Sequence, residues 1–223
     1  MKRASKFVLA ASLLALPLSA VEIGGNGGLA STNNPDVPPI SEEYRRTLYQ
    51  FHVLVNNGGA TWAQMDPAHK GFHMVVRNPG GVLGGEIERF QSVLEFNIVG
   101  QGPLEGWSRT LVVPARCETH TAPRNREADV QSFETDMQRI EGGIRNDPDF
   151  EYFEVVAGTA NGFPSPGHTT FFRQSDGTWL LDSKFNVHYS IRFKGAKGGK
   201  FEGIEDTFEG TITMAAMEPQ PKN

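Results

Sequence analysis

Between Phe185 and Phe193 every second residue is apolar: Phe185, Val187, Tyr189, Ile191 and Phe193 alternate with Asn186, His188, Ser190 and Arg192. Successive side chains of a strand point to opposite faces, so this spacing predicts a β-strand with one buried and one wet face. Segments rich in β-branched and aromatic residues predict further strands at 71–77, 90–99, 109–114, 150–157, 169–173, 179–181 and 207–214. Gly80-Gly81, Gly84-Gly85, Gly142-Gly143 and Gly198-Gly199 punctuate them. Repeated antiparallel hairpins must bury their apolar faces against one another and protect their edges. The expected fold is therefore mainly β, an antiparallel sandwich or barrel of roughly eight to ten strands over residues 41–216.

Two segments read both ways. Tyr44, Leu48, Phe51 and Val55 lie at helical spacing behind Ser41, which predicts one N-terminal helix over about 42–56, while Thr47, Tyr49, Phe51, Val53 and Val55 alternate as a strand would. Val130, Phe133, Met137, Ile140 and Ile144 are helically spaced, yet Phe133, Thr135 and Met137 alternate. Shifting the chain by 43 residues lays Phe90 on Phe133, Leu94 on Met137, Gly100 on Gly143 and Val112-Val113 on Val155-Val156. This echo suggests a duplicated hairpin and favours a strand at 130–144.

The ends of the chain carry different signals. Lys2, Arg3 and Lys6 precede the apolar run Phe7 to Leu18, and Ser19-Ala20 follow, the layout of a secretory signal peptide over residues 1–20. That run is shorter than the roughly 20 residues a membrane helix needs, and none as long follows it, so no membrane span is expected. The Gly, Asn, Ser and Pro stretch within 21–40 reads as a flexible linker, and 217–223 as a disordered tail. Removing Lys2, Arg3 and Lys6 from the 21 basic residues leaves 18 against 26 acidic ones, a balance that argues against nucleic acid as partner. Cys117 is the only cysteine, so the exported domain is expected to hold together by packing, with Cys117 as a small buried residue.

Candidate chemistry centres on histidine. Glu118 and His120 are two apart and share a strand face, and His168 lies in a loop that the 43-residue echo places at the corresponding end of the fold. His120, His168, Glu118, Asp182 and Arg109 could therefore gather at one mouth, as a divalent-metal site of imidazole and carboxylate or as a general base with its partners. The bland alternative is that each histidine bonds its own loop. His69-x-x-x-His73 has the spacing of two ligands on a helix, but Gly71 and Met74-Val75-Val76 favour a strand. Ser165, Ser183 or Thr169 could pair with His168 and Asp182 for nucleophilic catalysis, without a Gly-x-Ser-x-Gly elbow.

Pro164-Ser165-Pro166-Gly167-His168-Thr169-Thr170, Gly177-x-Trp179, Asp182-Ser183, Tyr189-x-Ile191-x-Phe193, Gly195-Ala196-x-Gly198-Gly199 and Gly210-Thr211-Ile212-x-Met214 form one pattern, with Glu118-Thr119-His120-Thr121-Ala122-Pro123-Arg124 upstream of it. It resembles a family of exported bacterial proteins. The resemblance implies export and no particular activity. Two functions follow as expectations: an exported, non-catalytic β module that binds or builds something outside the cytoplasm, such as a glycan or matrix component, or a metal-dependent enzyme or small-ligand barrel. Periplasm and medium are equally open as destinations, and so are the cofactor and the oligomeric state.

Overall fold

The structure, a computed structural model, describes residues 29–38, 43–46, 53–57 and 60–217. Its strands are β1 (Ala30–Thr32), β2 (Glu43–Arg46), β3 (Val53–Asn57), β4 (Ala60–Pro79), β5 (Glu86–Gly100), β6 (Ser108–Thr121), β7 (Val130–Arg145), β8 (Phe150–Ala157), β9 (Pro166–Arg173), β10 (Trp179–Gly195) and β11 (Glu205–Met217). Eight of them form a closed antiparallel barrel in the order β10, β11, β2, β4, β5, β6, β7, β8 and back to β10. Closure is made by Tyr189↔Ala157, Ile191↔Val155 and Phe193↔Phe153 between β10 and β8. At the other end of the same gap β9 bridges β7 and β10, while β1 and β3 are short outer strands on β10 and β4. Of the two architectures expected, the barrel is the one adopted.

The helix expected over 42–56 is corrected. Within the described residues 43–46 and 53–57 are strands. Tyr44 is buried, with its hydroxyl donating to Ser183 Oγ at 2.9 Å inside the barrel, so tertiary packing overrides the helical spacing. Residues 29–38 depart from the flexible linker expected there. Ala30 and Val37 are buried, Pro35 O accepts from Arg124 Nη1 at 2.6 Å, and Val37 O accepts from Arg77 Nη2 at 3.3 Å. Two apolar contacts and two guanidinium donors offset the entropy of ordering this stretch. Met217, expected in the disordered tail, ends β11; the leader and residues 218–223 lie outside the described residues.

The segment 130–144 is a strand, and its helix-like spacing has a specific cause. Thr119 pairs with Met137 but Glu118 pairs with Arg139, so Gln138 is an extra residue and Met137 and Gln138 are both buried. This β-bulge shifts the inward phase from 133, 135 and 137 to 140. β4 carries two such irregularities, beside Gly71 at φ 65° and Met74 at φ 53°, which bend its long strand around the barrel.

One end of the interior is filled by aromatic rings. The turn between β10 and β11 folds Phe201 inward, where it stacks on Phe150 at 5.0 Å and meets Trp107 and Phe193 edge-on at 5.7 and 5.9 Å. Gly195 permits this, because a Cβ there would stand 1.6 Å from Phe201 O. The middle is lined by Leu94, Ile140, Val155, Val187, Ile212 and neighbours around a cavity of about 40 Å³. Phe201→Ala should cost about 3–5 kcal/mol, read as a lower urea midpoint with an unchanged m value.

The opposite end is polar. Glu88 is fully buried and neither carboxyl oxygen has a hydrogen-bond partner among the described residues; Arg77 Nε is 3.4 Å away. Burial pushes this carboxyl up from 4.5 to about 8, against the opposing pull of Arg77 and Arg124. Arg124 stacks over Phe133 at 4.6 Å. Deeper in, His69 Nε2 pairs with Ser92 Oγ at 2.7 Å, and Cys117 Sγ lies 3.3 Å from Ser92 Oγ. Burial lowers His69 from 6.5 to about 3 and raises the Cys117 thiol to about 12, so both stay neutral.

These shifts act on stability in opposite directions. Folded Glu88 keeps a proton that the unfolded chain loses above pH 4.5, so its contribution is full below 4.5 and is lost as pH rises to about 8. Unfolded His69 gains a proton below 6.5 that the folded form refuses, so stability falls as pH drops from 6.5 towards 3. Between 4.5 and 6.5 the two slopes cancel. Melting curves against pH should show a plateau there, and Glu88→Gln should abolish the decline of up to about 1.4 kcal/mol per pH unit above 6.5. An unchanged alkaline limb in that variant would place the carboxylate in water.

Candidate functional site on the outer wall

The five residues expected at one mouth are spread over the outside of the barrel. Arg109, at the start of β6, forms ion pairs with Asp147 and Asp149 of the turn between β7 and β8. The hydrogen bond to Asp147 raises its pKa beyond the ordinary guanidinium value. It fastens that turn to β6. His120 lies eleven residues along the same strand, roughly 36 Å away.

His120 and Glu118 do share a face, and they act as a local tie. Val82 N–H donates to His120 Nδ1 at 3.1 Å, which leaves the proton on Nε2 to donate to Glu118 Oε1 at 2.9 Å. Arg89 Nε donates to Glu118 Oε2 at 2.7 Å. Burial would raise the Glu118 carboxyl, but the bonds from His120 and Arg89 outweigh it and hold the pKa below the usual range. The turn at 80–85 covers the imidazole, leaving His120 6% exposed.

The meeting of His120 with His168 is the expectation the structure corrects. His120 pairs with Asp136 on β7, and His168 reaches β7 from its other edge, opposite Glu134. One whole strand separates them, two strand spacings or roughly 10 Å. Among the described residues no group of three or more His, Cys, Asp and Glu side chains is placed to hold a metal ion. His69 and His73 are also apart: His69 faces the core, and exposed His73 bonds Gly71 O at 2.7 Å.

His168 and Asp182 instead share a different face, built from β7, β9 and β10. Ser132 pairs with Thr170, which pairs with Asp182; Glu134 pairs with His168 on the next outward rung. His168 Nδ1 lies 3.0 Å from Glu134 Oε1 and its Nε2 lies 2.8 Å from Ser132 Oγ, which is in turn 3.0 Å from Thr170 Oγ1. A carboxylate only accepts, so Nδ1 carries the proton and Nε2 presents its lone pair to the Ser132 hydroxyl. Beside His168 a surface pocket of about 250 Å³ is lined by Glu134, Pro166, Gly167, Lys184 and Asn186. On the other side of the polar rungs stand exposed Val130 and half-buried Phe172 and Leu180, an apolar rung of the same face.

Ser132 and Glu134 were not among the residues singled out from sequence. Their alternation around the buried Phe133 marks them as one outward face, but nothing along the chain says that His168 lies across from them. Ser165, Ser183 and Thr169, the hydroxyls considered with His168, are buried, and Thr169 and Ser183 bond each other at 2.7 Å inside the barrel. No family model, curated protein or solved structure matches this chain.

The two histidines should respond differently to removal. His120→Ala should cost about 1.5–3 kcal/mol by freeing the 80–85 turn and leaving Glu118 with one donor fewer, whereas His168→Ala should stay within about 0.5 kcal/mol, because its side chain is half exposed. Chemical denaturation of both variants checks this.

Proposed function

We propose that the protein is exported from the cytoplasm and works as a β-barrel binding module whose outer face on β7, β9 and β10 takes up a polyhydroxylated ligand, a glycan of the envelope or surrounding matrix. The observation that carries the reading is the contrast between the two sides of the wall. The interior leaves about 40 Å³, against the roughly 300–1,000 Å³ of pockets that hold small ligands. The outer face offers Glu134, His168 and Lys184 around a pocket of about 250 Å³, with Ser132 and Asp182 on the next rung and the ring of Phe172 on the rung beyond that.

Such a face suits sugars. Carboxylates accept from hydroxyl groups, lysine donates to ring and hydroxyl oxygens, and an aromatic ring covers the apolar side of a pyranose. The basic and apolar signature of residues 1–20 supports export, and the acidic balance of the remainder suits a neutral or cationic ligand better than a polyanion. Among the described residues no helix is long and apolar enough to cross a membrane.

Affinity electrophoresis against soluble polysaccharides and co-sedimentation with purified peptidoglycan test the reading. The wild-type chain should be retarded or pelleted by at least one of them. Asp182→Ala and Phe172→Ala should each weaken that binding by roughly tenfold, a loss of about 1.4 kcal/mol, while keeping the melting temperature. Unaltered binding in both variants, or none by the wild type, contradicts it.

A further inference from the structure

We propose that Ser132 is a nucleophile, with His168 as its general base and Glu134 as the residue that positions the base, and that this face transfers acyl groups from activated esters. The inference rests on the choice of face in the preceding reading and adds a covalent step to it. Its foundation is the geometry. Glu134 Oε1 to His168 Nδ1 is 3.0 Å and His168 Nε2 to Ser132 Oγ is 2.8 Å, so acid, imidazole and hydroxyl stand in hydrogen-bonded sequence with the imidazole in the tautomer a base requires. Such arrays are recognised by geometry and role rather than by order in the chain. Here the order is Ser132, Glu134, His168, and the scaffold is a pair of antiparallel strands.

Strand pairing holds the parts. Ser132 and Glu134 project from the same face of β7 because they are two apart, and the register with β9 sets His168 opposite Glu134 and Thr170 opposite Ser132. Thr170, 7% exposed, lies with its Oγ1 3.0 Å from Ser132 Oγ and limits the rotation of that side chain. Imidazole and serine are open to an incoming molecule.

In the acylation step Ser132 Oγ bonds to the ester carbonyl carbon as its proton passes to His168 Nε2. The bond from that carbon to the leaving oxygen then breaks, and the leaving group takes the proton from Nε2. Solvent water attacks the acyl-serine, gives a proton to Nε2, and releases the carboxylic acid as Ser132 Oγ recovers it. The site is built from side chains on paired strands, whose backbone N–H groups lie in the plane of the sheet rather than along its outer face. Stabilisation of the developing oxyanion is the largest contribution in many acyl-transfer enzymes, so this face suits esters with a good leaving group, such as aryl esters, over amides.

The test uses the mature chain with a fluorophosphonate probe and with p-nitrophenyl acetate. The probe should add to one site per chain, in the tryptic peptide 127–139, whose only serine is Ser132. The aryl ester should give a burst of p-nitrophenol equal to the protein present, followed by slow turnover. Ser132→Ala should abolish adduct and burst. His168→Gln should slow labelling roughly 100-fold, the scale of a general base. Glu134→Gln should slow it by a smaller factor and Glu134→Asp should restore most of the rate, at constant melting temperature in every variant. Labelling elsewhere than Ser132, or at an equal rate in His168→Gln, overturns the inference. Polysaccharide binding without an adduct also overturns it and leaves the binding module standing; an adduct without polysaccharide binding upholds the acyl step and removes the glycan.

Discussion

The pairing of β10 with β8 is the constraint on which the rest of the molecule depends. β10 is already bonded to β11 along one edge, and its pairing with β8 from Tyr189 to Gly195 returns the sheet to itself. A closed sheet has no major edge to protect, and its alternation of side chains becomes a division between inside and outside. With eight strands the inside is just wide enough for side chains, so Leu94, Ile140, Val155, Ile191 and their neighbours fill it. Ring closure therefore leaves the outer face, not the interior, with room for a ligand.

The ends of the barrel are closed by different means. Phe150, Phe193 and Phe201 pack one end with rings, where complementary shapes bury area without leaving polar groups behind. The other end holds Arg77, Glu88 and Arg124 under residues 35–37, whose carbonyls accept from the two arginines. A buried carboxyl kept neutral and an arginine stacked on Phe133 make that end tolerable but dependent on pH. Cys117, lying beside Ser92 and His69, belongs to this dry interior and is walled off from the outer face.

The strands were legible wherever one face is buried and the alternation is unbroken, as in β10 from Phe185 to Phe193. Where a bulge changes the phase the same reasoning falters: Gln138 turns the step from Met137 to Ile140 into a helical one, and exposed Val130 completes the helix-like spacing from the opposite face. At 53–57 the local pattern fitted both states, whereas at 43–46 it read as helix, and burial of Tyr44 and Val55 in the barrel decided the outcome. His168 and Asp182 could be picked out as candidates, and they do share a face. Their partners Ser132 and Glu134 could not, because cross-strand register is a property of the fold. His120 was misplaced for the same reason: its distance from His168 is set by the width of β7. Arg109 was misplaced by the length of β6.

Scaffold and site are thus two aspects of one arrangement. The ladder between β7, β9 and β10 that helps complete the wall is also what brings Ser132, Glu134, His168, Thr170 and Asp182 to one outer face. A rigid wall is therefore a condition for a defined site. Native-state amide hydrogen exchange measures that rigidity most directly. The account predicts that the amides bonded across the β8–β10 closure exchange only by global unfolding, as slowly as the central amides of β5 and β6. Rapid exchange at 189–195 while β5 and β6 stay protected would mean an open sheet, and would contradict it.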